Sequence, residues 1–521
     1  MELIQDYKER LLSSPDIYTL FSTVYVHFLN SIPPNYNPIS FVSTYCEKPL
    51  IKDDGDSADL SMPGWENPNI DRLQKFKQEL ILELQNNKNV FFSTLLEKLL
   101  LEVSNLSLSD GLEIGDTENL CSLDFFLLSA IDASLASDQN KDKMMGGPNN
   151  KENREEVLVY QKGDGLSQFL INRFGFTQSS PQVISTLFDQ ILVVNPKDLP
   201  EGLGIPKIKP IASKPLNLSE AQDTNEYYIK IAVIPWAKTK AFKFDYSKGS
   251  QFVCRYPEKL EDNEKAYLQT IIERAISLDS NIIIFPEYLM SNAMESLLVD
   301  TLSNLFKSNK TGKLDFVLAG SGWNTDATGC DNISRVFLAD GHHFSTYYKY
   351  SPFRSTNKKT GTVSQEALVH PGKICEMPYV SGKGLFLPSI CRDTFDGQPT
   401  DCLISLFKPS FVLVPAFSDS LDAFRAKFEA YALDSLTSSV MCNYCGAKKK
   451  NGSTKANKSA ISVSSIPVKS ENGLEPKTEF IKKFDCEATC SSTGCIHICI
   501  IHYTTSFQDL SVSSYYNVDR T

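Results

Sequence analysis

From about Tyr227 onward, short β-branched apolar runs alternate with longer segments whose apolar residues recur at helical spacing. That alternation restricts this part of the chain to an α/β architecture. YIKIAVIPWA reads as a strand, KAYLQTIIERAISLDS as an amphipathic helix and NIIIFPE as a strand again. LDFVLAGSGW is a strand ending in small residues, and ISRVFLADGHHFSTYYKY is a hairpin with Ala339, Asp340 and Gly341 at its turn. GLFLPSI, FVLVPAF and VMCNYCGA continue the strands, with PTDCLISLFKP and FRAKFEAYALDSLTSS as helices. Hairpins of period two within the series point to layered sheets rather than one doubly wound sheet. The sequence holds no internal repeat, no Walker phosphate loop and no dinucleotide glycine fingerprint.

At 521 residues the chain is too long for one ordinary core, and the texture divides it. Residues 1–194 read as a mainly helical region of unknown role, with helical segments continuing to about Val194. Ile70 to Gln85 has apolar residues at helical intervals, and Val90 to Leu106 is apolar over more of its circumference, as in a central helix. The stretch 137–156 is rich in Gly, Asn and charge and reads as an exposed loop. Residues 195–226 begin with a Pro- and Gly-rich stretch and read as an extended linker, and 227–521 as the α/β domain.

The formal net charge of −11 argues against a general binder of nucleic acid or anionic membranes. The first residues, MELIQDYKERLLSSPD, lack the layout of a secretory signal, and the longest apolar runs are too short to span a bilayer. A cytoplasmic location is the expectation. Thirteen scattered cysteines, an odd number, fit reduced thiols better than a disulfide framework.

Three strand-like runs end in residues that carry chemistry: Glu287 after NIIIFP, Lys349 in FSTYYKYSPF and Cys391 after GLFLPSI. Singly, each has a plain structural reading: an acid reaching solvent or capping a helix near Ser291, a surface lysine, a buried free cysteine. Brought together they would supply a base, an electrophile and a nucleophile.

In this order and setting, the segments resemble the nitrilase, or carbon–nitrogen hydrolase, superfamily over about residues 227–503. The resemblance rests on Pro286-Glu287, on the hairpin ending in Tyr347-Tyr348-Lys349, on Cys391-Arg392-Asp393 and on the Pro-Gly of His370 to Lys373. It implies an α-β-β-α sandwich of the nitrilase type, preceded by the mainly α-helical N-terminal region. It implies that Cys391 attacks a non-peptide carbon–nitrogen bond and forms a thioester. Glu287 would act as general base and Lys349 as oxyanion stabiliser. An amide is favoured over a nitrile as the small-molecule substrate, no cofactor is required, and a homo-oligomer is expected. Many members use a second acid between the lysine and the cysteine. Glu366 stands at a suitable interval, with Glu376 as its rival. Arg392 departs from the pattern, since members often carry an aromatic there. Its backbone N–H could serve an oxyanion, and its side chain could contact an anionic substrate or pair with Asp393 or Asp396.

Two other readings stay open. One is a catalytically silent nitrilase-fold scaffold or partner-binding protein, with a protein partner on the N-terminal region, as in a microbial defence system. The other is an amide-forming acyltransferase. Cys442 and Cys445 have metal spacing but fall on a strand, where the core reading is preferred. Cys486, Cys490, Cys495 and Cys499 are spaced unlike a zinc knuckle, and a metal site is not assigned to them. His342 and His343 follow a turn and read as structural or exposed. The basic run Ala447 to Lys458 reads as a solvated loop, and the polar loop Ser351 to Thr362 as a segment shaping substrate access.

Overall fold

The computed structural model describes residues 17–31, 124, 127, 128, 131, 132, 158–161, 191–211, 226–236, 243–246, 251–326, 329–356, 361–380, 383–395, 399–418, 421–444, 460–470, 473–482, 496–504 and 512–519. The segments read as helices at 70–85 and 90–106, the loop 137–156 and the basic run 447–458 lie outside these residues. Two compact units are formed, one by Met1–Lys162 with Ser179–Lys197, the other by Gly163–Gln178 with Asp198–Thr521. Among the described residues no helix is long and apolar enough to cross a membrane.

In the first unit, helix α1 (Ile17–Ser31) buries Leu20, Phe21, Val24 and Phe28. His27 Nδ1 lies 2.6 Å from the buried Asp124 carboxylate. Strands β1 (Leu158–Gln161) and β2 (Ile191–Val194) pair antiparallel. The helical reading up to Val194 therefore fails at its end. ILVV is a run of β-branched and aliphatic residues, which favours a strand.

The second unit runs β3 (Lys207–Ile211), β4 (Glu226–Val233), β5 (Lys243–Tyr246), β6 (Gln251–Arg255), α2 (Asp262–Ser277), β7 (Ile282–Ile284) and α3 (Asn292–Lys307). It continues with β8 (Phe316–Leu318), β9 (Gly322–Asp326), β10 (Gly329–Leu338), β11 (His343–Tyr348), β12 (Arg354–Thr356), β13 (Val363–Glu366), β14 (Glu376–Val380) and β15 (Gly384–Pro388). A short 3-10 turn, Cys391–Thr394, leads to α4 (Thr400–Phe407), β16 (Phe411–Pro415), α5 (Asp422–Ser435), β17 (Ser438–Cys442), β18 (Ala460–Ser470), β19 (Gly473–Lys482), β20 (Ile496–Thr504) and β21 (Val512–Asp519).

These strands build two large sheets. The first has the order β11-β10-β8-β7-β4-β20-β21, with β9 also on β10, and the second β19-β18-β17-β16-β15-β14-β3. Side-chain alternation explains their stacking. Ile282 and Ile284 of β7 enter a core shared with Phe386 of β15, Phe411 and Leu413 of β16 and Val440 of β17. Ile283, between them, turns the other way and packs with Leu268, Ile271 and Ile272 of α2 and Leu298 of α3. Helix α5 lies on β17, β18 and β19. The layers are thus helix, sheet, sheet, helix in a mixed α/β fold.

Local rules set the boundaries. Helix α2 begins with a capping box between Glu261 and Glu264, and Ser291 caps α3 by accepting the Met294 N–H. The expected hairpin is β10–β11, turned at Gly341 with φ +85°. LDFVLAGSGW is not one strand but two, because Gly320 has φ +68° and a Cβ there would lie 2.1 Å from the Pro286 carbonyl. Strand β3 falls inside the stretch read as a linker, yet pairs parallel with β14 over its whole length. Cys442 and Cys499 lie in the core between the sheets, while Cys445, Cys486, Cys490 and Cys495 lie outside the described residues.

The inter-sheet core makes one stability prediction. Phe386 is fully buried, stacked on Phe411 at 4.9 Å and edge-on to Phe316 at 5.3 Å. Phe386→Ala is expected to cost about 3–5 kcal/mol in urea unfolding followed by near-UV circular dichroism. A loss below about 1 kcal/mol would mean that this ring does not join the two sheets.

Candidate active site

The C-terminal ends of β7, β11, β13 and β15 deliver Glu287, Lys349, Glu366 and Cys391 to one place. Glu287 leaves β7 and its N–H reaches the Ala416 carbonyl, at 3.4 Å, just beyond β16. Lys349 leaves β11, and Cys391 opens the 3-10 turn after β15. Glu366 ends β13, which belongs to neither large sheet but to a separate four-stranded one, β12-β13-β6-β5.

Lys349 is buried between two carboxylates. Its Nζ donates to Glu287 Oε1 at 2.7 Å and to Glu366 Oε2 at 2.6 Å. All three side chains are at most 1 % exposed. A charge at such depth persists only when it is paired and its remaining bonding capacity is filled. Asn332 Nδ2 donates to Glu287 Oε1 at 3.1 Å and to Glu366 Oε1 at 3.2 Å. Glu366 also accepts the Tyr288 hydroxyl at 2.5 Å and the Phe353 N–H at 2.6 Å. Glu366 is therefore the anchored carboxylate. Glu287 has fewer donors, and it lies close enough to the Cys391 thiol for each to shift the other's proton affinity.

The electrostatics follow from burial. Desolvation pushes the Glu287 carboxyl up, Lys349 pulls it back, and Glu366 raises it again. Burial alone would lower the Lys349 ammonium, but Glu287 and Glu366 hold it above the ordinary lysine value. Burial and Glu287 drive the Cys391 thiol well up, against Lys349 and the Phe417 backbone N–H. Burial and charge thus favour a neutral thiol beside a carboxyl of raised proton affinity and a lysine that holds its proton firmly, an arrangement able to transfer the thiol proton and stabilise an oxyanion.

The backbone is forced where the chemistry sits. Cys391 has φ +45° and Tyr288, next to Glu287, has φ +64°, left-handed conformations uncommon in residues other than glycine. Gly372 of the Pro-Gly loop, with φ +68°, packs so closely that a Cβ would lie 2.5 Å from the Tyr350 ring, and its N–H bonds the Lys349 carbonyl at 3.2 Å.

Asp393 organises the chain after the lysine. It is fully buried and accepts the Ser351 N–H at 2.6 Å, the Tyr350 N–H at 3.1 Å and the Tyr347 hydroxyl at 3.1 Å. Arg392 is half-buried on the same turn. Glu376 stands apart, accepting the Thr346 N–H at 2.9 Å, so Glu366 and not its rival joins the cluster. His342 and His343 are exposed at the hairpin. Among the described residues no group of three or more His, Cys, Asp or Glu is placed to hold a metal ion.

Asn332, Tyr288 and the Phe353 N–H were not singled out in the sequence. Asn332 carried a signal, as an amide within the strand CDNISRVFL. Tyr288 donates its hydroxyl to Glu366 from a left-handed backbone conformation that composition does not reveal.

No protein-family model matches the sequence, and no curated protein does. Solved structures of nitrilase-superfamily proteins match about half of it. One is a variant of the amidase from Nesterenkonia sp. AN1 showing Michael addition of acrylamide at its active-site cysteine. It is 15% identical, covers 50% of this chain and 97% of that chain, and has a TM-score of 0.32. Another is Saccharomyces cerevisiae Nit3, a member of branch 10 of the nitrilase superfamily, 17% identical, covering 50% of this chain and 92% of that chain, with a TM-score of 0.30.

Two predictions follow from the buried charges. Lys349→Met leaves two facing carboxylates without a cation and is expected to cost about 3–5 kcal/mol. Glu287→Gln, which keeps one carboxylate on the lysine, should cost less, and the reverse order in urea unfolding would overturn this account. Asp393 is pushed up to about 7 by burial, against Lys349 and its three donors. The unfolded chain loses that proton near pH 4, so stability from this group is present at low pH and declines as pH rises from about 4 to about 7. Asp393→Asn should flatten that slope, by up to about 4 kcal/mol across the window, in urea midpoints measured from pH 4 to 8.

Proposed function

We propose that the protein is a carbon–nitrogen hydrolase of the nitrilase type, an α-β-β-α sandwich that acts on an amide through a thioester on Cys391. The observation that carries this reading is the buried lysine held at 2.7 Å and 2.6 Å by two carboxylates, one of which, Glu287, also raises the Cys391 thiol.

Glu287 takes the thiol proton as Sγ attacks the carbonyl carbon. The oxyanion that forms is stabilised by the Lys349 ammonium and the Arg392 backbone N–H. Collapse of the tetrahedral species breaks the carbon–nitrogen bond. The proton on Glu287 passes to the departing nitrogen, which leaves as ammonia or an amine. Glu287, again a carboxylate, draws a proton from water as its oxygen attacks the thioester. The acid is released and the thiol restored. Glu366, fixed by Asn332, Tyr288 and the Phe353 N–H, positions the lysine. The raised thiol and carboxyl values support a site that ionises Cys391 only as substrate enters, since attack then replaces a buried thiolate by an acyl group.

The test is ammonia release from a panel of primary amides and nitriles, with intact-protein mass spectrometry for the acyl adduct. Cys391→Ala, Glu287→Gln and Lys349→Met are each expected to lower kcat/KM by at least about 100-fold, with any adduct confined to Cys391. Undiminished turnover in Cys391→Ala would remove the proposal. Amide formation from added amines, outrunning hydrolysis, would make the enzyme an acyltransferase.

A further inference from the structure

The four-stranded sheet holds Glu366 on β13, and beyond it lie β6 and the edge strand β5. Their register shows what they present. Glu366 pairs with Phe252, Phe252 with Tyr246, and Cys254 with Phe244. Paired positions, and positions two apart on one strand, share a face. Phe244, Tyr246, Phe252 and Cys254 therefore stand on the face that presents Glu366 to the lysine.

That face is covered at one end and open at the other. Phe252 and Cys254 are buried against Tyr288, the residue after Glu287. On the outer strand Phe244 is 42% and Tyr246 64% exposed. The rings form an unbroken series. Tyr246 lies 6.1 Å and Phe244 5.8 Å from Phe252, Phe244 lies 6.4 Å from Phe417, and Phe417 lies 5.7 Å from Tyr288. The Phe417 backbone lies near enough to Cys391 to oppose the rise of its thiol. A series of aromatic rings thus runs from solvent, over the sheet that fixes the second carboxylate, to Tyr288 and Phe417. Outer strands are ordinarily charged or shielded, so two uncovered rings facing inward leave contact area for a bound group.

We infer that the open part of this face binds an aromatic or comparably bulky apolar substituent of the substrate. This rests on the hydrolase reading above and narrows it: the substrate class is amides bearing such a substituent, not short aliphatic amides. The occupant is the substrate because the rings lead to Cys391, and because Glu366, Phe252 and Phe244 share one face. A ring laid on the exposed surfaces of Phe244 and Tyr246 would bury apolar area while its amide extends toward the sulfur.

The test has two arms. Turnover of 4-phenylbutyramide is compared with that of propionamide in the full-length protein and in the double variant Phe244→Ser, Tyr246→Ser. Both side chains are substantially exposed, so the core is untouched, and a matched circular-dichroism melt checks this. The kcat/KM ratio should favour the aromatic amide by at least about tenfold and fall to within about twofold in the double variant. In the second arm, binding of 4-phenylbutyramide to Cys391→Ala protein is followed by saturation-transfer NMR, with and without the double substitution. Loss of the signal in the double variant supports the inference without any chemistry at sulfur. An unchanged ratio or an unchanged signal overturns it, as does a change in sedimentation mass in the double variant, which would assign the face to a second copy. Binding as expected with no turnover and no adduct in the native protein would sink the hydrolase reading and leave the apolar site standing.

Discussion

The second unit is organised around one buried cation. Placing the Lys349 ammonium where its exposure is zero demands oxygen ligands from several directions. They come from chain segments distant in sequence: Glu287 beyond β7 and Glu366 at the end of β13, with the Asn332 amide bridging the two carboxylates. Each must leave its strand at the same edge of the layers. The parallel runs β4-β7-β8 and β15-β16-β17 bring Glu287 and Cys391 to one edge, with apolar residues behind them in the core, while Glu366 arrives from the separate four-stranded sheet. The sandwich and the ion cluster thus support each other. The core carries the stability, and the cluster sets how the ends of the two sheets meet.

Much of this was legible in the sequence, for a physical reason. An apolar run ending abruptly in Glu287 or Cys391 states both that a strand is buried and that its terminus is polar by design. Spacing before the Pro-Gly loop separated Glu366 from Glu376 as the better candidate, and the hairpin turn at Gly341 was readable from Asp-Gly. The Arg392 side chain gave no comparable guidance. Its neighbour Asp393 holds the loop after the lysine, and that role depends on three donors from a segment about forty residues earlier, a relation local pattern does not encode.

Other parts were hidden. KFDY and QFVCR are too short, and too mixed in polarity, to be read as paired strands, and their sheet depends on a parallel contact with β13 much later in the chain. The hairpin β18–β19 is rich in serine and lysine and aligns Pro467 with Pro476, features that argue against a strand locally. Asn332 lies just ahead of the apolar run read as the hairpin's first strand, yet belongs to β10 and is the amide that ties two acids together. In each case long-range pairing overrode weak local preference.

Strand β3 bears on how the polypeptide can be divided. By composition, the natural place to sever the N-terminal region is the Pro-rich stretch before Tyr227. Severing there would remove Lys207–Ile211 from the margin of the second sheet and bare the backbone donors and acceptors of β14 along its length. A recombinant fragment beginning at Tyr227 would carry a sticky flank prone to self-association. One beginning ahead of Leu203 would retain the selvedge that finishes the sheet.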